Sequence, residues 1–184
     1  MYKEIRGMTV ALSIGILATL FLVCAQPTLA QPTADNFGVE DTSGCKRTNV
    51  VVPVNITNVQ SGPVISIIFD IAYDNSVINV VDVQKGTLTS FWDNPAINNF
   101  AWGTRVSLVY DGQMPHALQN RSTGSVVLLT FNVIGKPNKT SEMNLTNIQL
   151  ADEAYNIGTA PTKNGTFSIE RGSKSSPPGR LKKS

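Results

Sequence analysis

The sequence predicts an all-β protein folded as a β-sandwich, and three observations carry that prediction. Apolar and polar residues alternate over at least four stretches, the period that puts successive side chains on opposite faces of a strand. Turn-forming clusters separate those stretches, among them Gln60-Ser61-Gly62-Pro63, Asp74-Asn75-Ser76, Asp111-Gly112 and Asn164-Gly165. No segment offers an amphipathic helix longer than two turns. Seven to nine short strands in one domain, closed into two facing sheets, fit this pattern.

The elements follow in order. In residues 1–30, Lys3 and Arg6 precede an apolar run from Met8 to Ala25, after which polar and Pro-containing sequence begins. This is a signal-peptide pattern, with cleavage expected after Ala30 or Ala25 and an uncleaved anchor as the alternative. The expected location is secreted or cell surface. Residues 31–46 are polar and aperiodic and read as a leader. Residues 47–170 hold the fold, and residues 171–184, RGSKSSPPGRLKKS, read as a disordered basic tail.

Within the domain, Asn49 to Thr57 is a strand with Val50, Val52, Val54 and Ile56 on its buried face, and Pro53 puts it near an edge or a bulge. Ile65 to Tyr73 is the strongest signal, with Ile65, Ile67, Phe69, Ile71 and Tyr73 inward. Val77 to Val83 resumes after the Asp74-Asn75-Ser76 turn. Gly86 to Gly103 reads as a long connection carrying Phe91, Trp92, Phe100 and Trp102. Thr104 to Tyr110 is the next strand, Gln113 to Gly124 a loop, and Ser125 to Ile134 a strand facing inward through Val127, Leu129, Phe131 and Val133. Met143 to Ala151 slips phase between Leu145 and Ile148, which predicts a bulge. Asn164-Gly165 predicts a closing hairpin into Thr166 to Glu170.

Charge and cysteine content bound the function. Residues 31–170 carry eight Lys/Arg against twelve Asp/Glu, a balance of −4, while residues 171–184 carry five basic residues and no acid. A basic patch for nucleic acid is not visible in the domain sequence. Removal of residues 1–30 leaves Cys45 alone, so no intramolecular disulfide is expected. His116 has no Ser, Cys or acid pattern around it that would make it a catalytic base. The acids are scattered rather than spaced as a calcium loop, and no phosphate-binding glycine loop occurs. The expectation is a non-catalytic binding protein without cofactor or bound metal. Asn55, Asn120, Asn138, Asn144 and Asn164 each begin an Asn-x-Ser/Thr triplet and are candidate glycan acceptors in an exported protein.

Five segments in order give a family resemblance: NVVVPVNITNV, the Tyr73-Asp74 turn, the strand ending at Gly86, GSVVLLTFNV from Gly124 to Val133, and NGTFSI. Over about residues 47–170 the chain resembles cohesin domains. The resemblance implies a nine-stranded jelly roll that docks dockerins, small calcium-loaded helical modules, through one flat face, the calcium belonging to the partner. The outward residues of the strand ending in Tyr-Asp take part in that face in the family, which carries the role onto Ser66, Ile68, Asp70 and Ala72. Many cohesins of the best-known class have Asn and Asp where this chain has Ser66 and Ile68, so Ile68 is expected either to dock against a less polar partner or to pack under a neighbouring loop. Two alternatives use other features. Trp92, Trp102, Phe91 and Phe100 could stack sugar rings, as in carbohydrate-binding modules of the same architecture, or the chain could be a glycosylated structural surface protein.

Overall fold

The computed structural model describes residues 30–171. Twelve strands form two sheets: β1 (Thr33–Gly38), β2 (Thr42–Cys45), β3 (Asn49–Gln60), β4 (Ser66–Ala72), β5 (Ile78–Lys85), β6 (Ala96–Phe100), β7 (Gly103–Val109), β8 (Gly124–Val133), β9 (Thr140–Ala151), β10 (Ile157–Gly158), β11 (Thr162–Lys163) and β12 (Gly165–Glu170). One sheet runs β11-β1-β3-β8-β5. The other runs β2-β12-β9-β4-β7-β6, with β10 added beside β9. Pairing is antiparallel except where β1 meets β11 and β2 meets β12.

The alternation read from the sequence becomes the core. Val52, Val54 and Ile56 of β3 and Val127, Leu129, Phe131 and Val133 of β8 are buried from one sheet. Ile67, Phe69 and Ile71 of β4, Val106 and Leu108 of β7, and Met143, Leu145, Ile148 and Leu150 of β9 are buried from the other. Aromatic rings join the two layers edge to face: Phe37 against Phe69 at 5.1 Å and Tyr73 against Phe131 at 5.4 Å. Burying a phenol requires a partner for its hydroxyl. Tyr73 has one on each side, since its hydroxyl lies 2.7 Å from Thr104 Oγ1 and accepts the Val80 amide at 3.2 Å.

Pro53 sits beside the irregularity in β3, next to the register shift between Val54 and Asn55, and β1 pairs with β3 only over Asn55 to Gln60. The half of the strand that holds the proline therefore needs no ladder donor on that side. The phase slip in β9 is a bulge opposite the Ile68 to Asp70 step of β4, with Asn147 in the left-handed region at φ 52.

Residues 31–46, read as a leader, supply β1 and β2. Their polarity misleads because β2 is an edge strand that buries none of its residues, while β1 is anchored by Ala34 and Phe37, which do not alternate in the sequence. The Gly86 to Gly103 connection contains β6, a mostly exposed edge strand whose sequence, AINNF, has no apolar alternation. Asn164-Gly165 closes no hairpin. It passes the chain from β11 in one sheet to β12 in the other. Residues 1–29 and 172–184, which hold the signal-like run and most of the tail, lie outside the described residues.

Candidate partner-binding face

β4 runs between β7 and β9 in the middle of its sheet, with its odd positions in the core. The even positions, Ser66, Ile68, Asp70 and Ala72, therefore line the outer face. The register sets their neighbours: Ser66 lies between Val109 and Ala151, Ile68 between Ser107 and Gln149, Asp70 between Arg105 and Thr146, Ala72 between Gly103 and Asn144. Ser66, Ile68 and Ala72 are half-buried.

Asp70 differs from the other three. It is only 3 % exposed, and a carboxylate so placed must be paired to remain ionised. Arg105 supplies a two-pronged partner, Nε donating to Oδ1 at 2.7 Å and Nη2 to Oδ2 at 2.8 Å. Asn147 Nδ2 donates to Oδ2 at 2.7 Å. The β9 bulge produces this last bond, because the extra residue re-aims a side chain that regular pairing would place elsewhere. The Arg105 hydrogen bond holds the Asp70 carboxyl below the ordinary aspartate value of 3.8 against the opposing effect of burial, and Asn147 adds to it. The same pair raises Arg105 above its usual range.

The Arg105 side chain is 48 % exposed. Two of its five N–H donors are committed to Asp70, so three remain for a partner. A positioned guanidinium stands at the centre of the face, bordered by Ile68 and, toward one end, by the exposed Val109.

At the other end, Phe100-Ala101-Trp102-Gly103 turns β6 into β7. Gly103 has φ 146, and a Cβ there would lie 2.1 Å from the Ile71 carbonyl oxygen, so only glycine lets the turn close onto β4. Asn75 holds the turn from outside, donating to the carbonyls of Phe100 at 3.1 Å and Ala101 at 2.9 Å. Phe100 and Trp102 stack on each other at 5.0 Å with planes 8° apart, and both are exposed.

The four aromatics named as candidates for stacking sugar rings are thus divided. Trp92 is 1 % exposed, with its indole N–H donated to the His116 carbonyl at 2.7 Å, and cannot stack on a ligand. Phe91 is exposed but lies flat on the His116 ring at 4.5 Å. His116 has an acid partner that local sequence did not suggest, Asp111, with Nδ1 to Oδ2 at 2.6 Å. Cys45 carries a free thiol. Among the described residues, no three His, Cys, Asp or Glu side chains are grouped to hold a metal ion.

The five candidate glycan acceptors are dispersed. Asn120, Asn138 and Asn164 are exposed, and Asn55 and Asn144 are half-buried. Asn120 and Asn164 use their side-chain oxygens to accept the Gly62 and Leu145 amides, while Asn144 donates to Glu142.

Sequence reasoning missed Arg105 and Asn147. Arg105 stands alone among the residues of β7 as a charge at an outward position, a signal that was available. Asn147 lies at the recognised phase slip, but the direction of its side chain depends on the bulge.

The chain matches the family model of the cohesin domain over residues 36–169 and belongs to that family, whose members are non-catalytic binding modules. Solved structures agree in fold. A non-cellulosomal cohesin from the hyperthermophilic archaeon Archaeoglobus fulgidus is 24 % identical, with 77 % of this chain and 93 % of that one covered and a TM-score of 0.60. The sixth cohesin of scaffoldin B from Acetivibrio cellulolyticus, solved with a mutant Cel5 dockerin, is 20 % identical over 74 % of this chain and 99 % of that one, TM-score 0.63. The seventh ScaB type I cohesin of Pseudobacteroides cellulosolvens is 17 % identical over 80 % and 99 %, TM-score 0.64. No curated protein matches the chain.

Proposed function

We propose that this cohesin domain docks a dockerin-bearing protein on the outer face of the β9-β4-β7-β6 layer, at the cell surface or in an extracellular complex. The observation that carries the reading is the central strand: family membership joins a β4 whose outward Ser66, Ile68 and Ala72 are half-buried and whose buried Asp70 fixes the half-exposed Arg105 in place. Preorganisation of this kind reduces the ordering cost of binding. Arg105 offers donors to a carboxylate or helix-end carbonyl of the partner. Ile68, Val109 and the Phe100–Trp102 stack offer apolar and aromatic area, the composition typical of binding hot spots. Export of the chain is supported by the Met8 to Ala25 run behind Lys3 and Arg6.

The test is calorimetric titration of the chain with each dockerin-bearing protein of its own host, with calcium and with a chelator. Calcium-dependent binding, weakened at least about tenfold by Ile68→Asp, is the expected result. Failure of every dockerin to bind would sink the proposal. A second reading, sugar stacking, rests on the exposed Phe100–Trp102 pair alone. Retention of the chain on insoluble polysaccharide, abolished by Trp102→Ala, would favour it.

A further inference from the structure

The strand ends opposite Gln60 and Arg121 and those beside Asn49 and Val133 differ in charge. Four of the eight Lys/Arg of residues 31–170 gather at the second end, Lys46 and Arg47 after β2 and Lys136 and Lys139 in the turn between β8 and β9. The grouping is invisible in the sequence because about ninety residues separate the two pairs. Lys46, Lys136 and Lys139 line an open pocket of about 350 Å³ together with Asp74, Ser76, Val77, Ile134 and Gly135. Among the described residues these lysines make no ion pair; the Lys/Arg ion pairs found there join Arg105 to Asp70 and Lys163 to Glu40.

Three ammonium groups around one concavity attract an anion. The fourth polar group narrows its chemistry. Asp74 uses Oδ1 for both the amide and the hydroxyl of Ser76, at 2.8 and 2.7 Å. These bonds, the hydroxyl first, keep its carboxyl ionised by lowering its pKa. A bare phosphate gains nothing from a carboxylate in its site and is repelled by it. A ligand carrying both an acid and hydroxyls uses all of it: its carboxylate meets the lysines while a hydroxyl donates to Asp74 Oδ2, and Ser76 stands beside them. The remaining geometry agrees. The pocket is concave, and Ile134 is the one large exposed apolar residue in its lining, less apolar area than a membrane-inserting surface presents. β12 ends with Glu170 paired to Cys45, next to Lys46.

We propose that this pocket binds an acidic sugar residue of an anionic polysaccharide, a second site on the module that leaves the outer face of β4 free. The experiment titrates the full chain with oligogalacturonate, inorganic polyphosphate, phosphatidylglycerol vesicles and neutral dextran at low salt. Oligogalacturonate is expected to bind and to weaken roughly tenfold when salt shortens the screening length severalfold. Lys46→Gln/Lys136→Gln/Lys139→Gln should lose at least about tenfold in affinity, whereas Lys85→Gln/Arg121→Gln/Lys163→Gln, equal in net charge, keeps it. Asp74→Asn retains the oxygen that accepts from Ser76; it should weaken oligogalacturonate while leaving polyphosphate unchanged or improved. Absence of oligogalacturonate binding, equal loss in both triple variants, or preference for polyphosphate or vesicles overturns the proposal. Circular dichroism of each variant shows that the fold is retained, and dockerin titration of the lysine variant reports the β4 face separately.

Discussion

Trp92 and Trp102 lie ten residues apart in one connection, each close to a Phe and an Asn, and the fold treats them oppositely. Trp92 belongs to a closed corner. Its amide donates to the Thr89 carbonyl at 2.9 Å, its indole to the His116 carbonyl, and the Phe91–His116 stack lies beside it. Trp102 belongs to a tight turn between two paired strands, where the ladder fixes the backbone and leaves the ring 42 % exposed against Phe100. The comparison teaches that the role of a loop aromatic is set by which backbone bonds close around it. Burial makes Trp92 a stability residue. Exposure on a turn between paired strands leaves Trp102 accessible from solvent.

Substitution can break this contrast, and the largest effect belongs to the corner. Trp92→Ala removes a fully buried indole and orphans the His116 carbonyl, and should cost about 3–5 kcal/mol in urea unfolding. Partner affinity of the fraction still folded should be unchanged. A loss below about 1 kcal/mol would mean that the corner is not part of the core.

The centre of the face sits between these extremes. Asp70→Asn leaves Arg105 without its charged partner and should cost about 1–3 kcal/mol. Its pH dependence has a definite sign. Because the folded pKa of Asp70 lies below its ordinary 3.8, its contribution is complete above that value and is lost as pH falls through it toward the folded pKa. Asp74 is depressed as well, chiefly by the Ser76 hydroxyl, so the wild-type curve holds more than one group. The difference between wild type and Asp70→Asn should therefore shrink toward zero as the solution is acidified below about pH 4. A difference independent of pH would show that Asp70 acts through packing alone.

Trp102→Ala should have the smallest effect on stability, under about 1 kcal/mol, because the ring covers little of the core. It should lower affinity for a dockerin-bearing partner by at least about tenfold if the turn borders the docking surface. Equal affinity would confine that surface to the strands.

The same contrast marks how far the sequence can be read. Strands with one buried face, β3, β4, β8 and most of β9, are legible because burial writes a period of two into them. β2 and β6 escape, since edge strands bury little and their ladder bonds leave no trace in side-chain polarity; β1 escapes because its buried Ala34 and Phe37 stand out of the period of two. Asn164-Gly165 misleads because its local turn chemistry says nothing about which sheet receives the next strand. At the face, Ser66, Ile68, Asp70 and Ala72 follow from alternation. That Asp70 is sealed beneath Arg105 and Asn147 depends on the register of β7 and on the bulge of β9, both contacts between distant segments. The gathering of Lys46, Lys136 and Lys139 around Asp74 escapes notice for the same reason.

The most direct test of the central claim, that partners dock on the outer face of β4, is a hydrogen-exchange footprint of the chain with a bound, calcium-loaded dockerin. Added protection is expected in Ser66 to Ala72, Gly103 to Val109 and Thr146 to Gln149, with β3, β5 and β8 unchanged. Protection confined to the β3-β8-β5 sheet would contradict it.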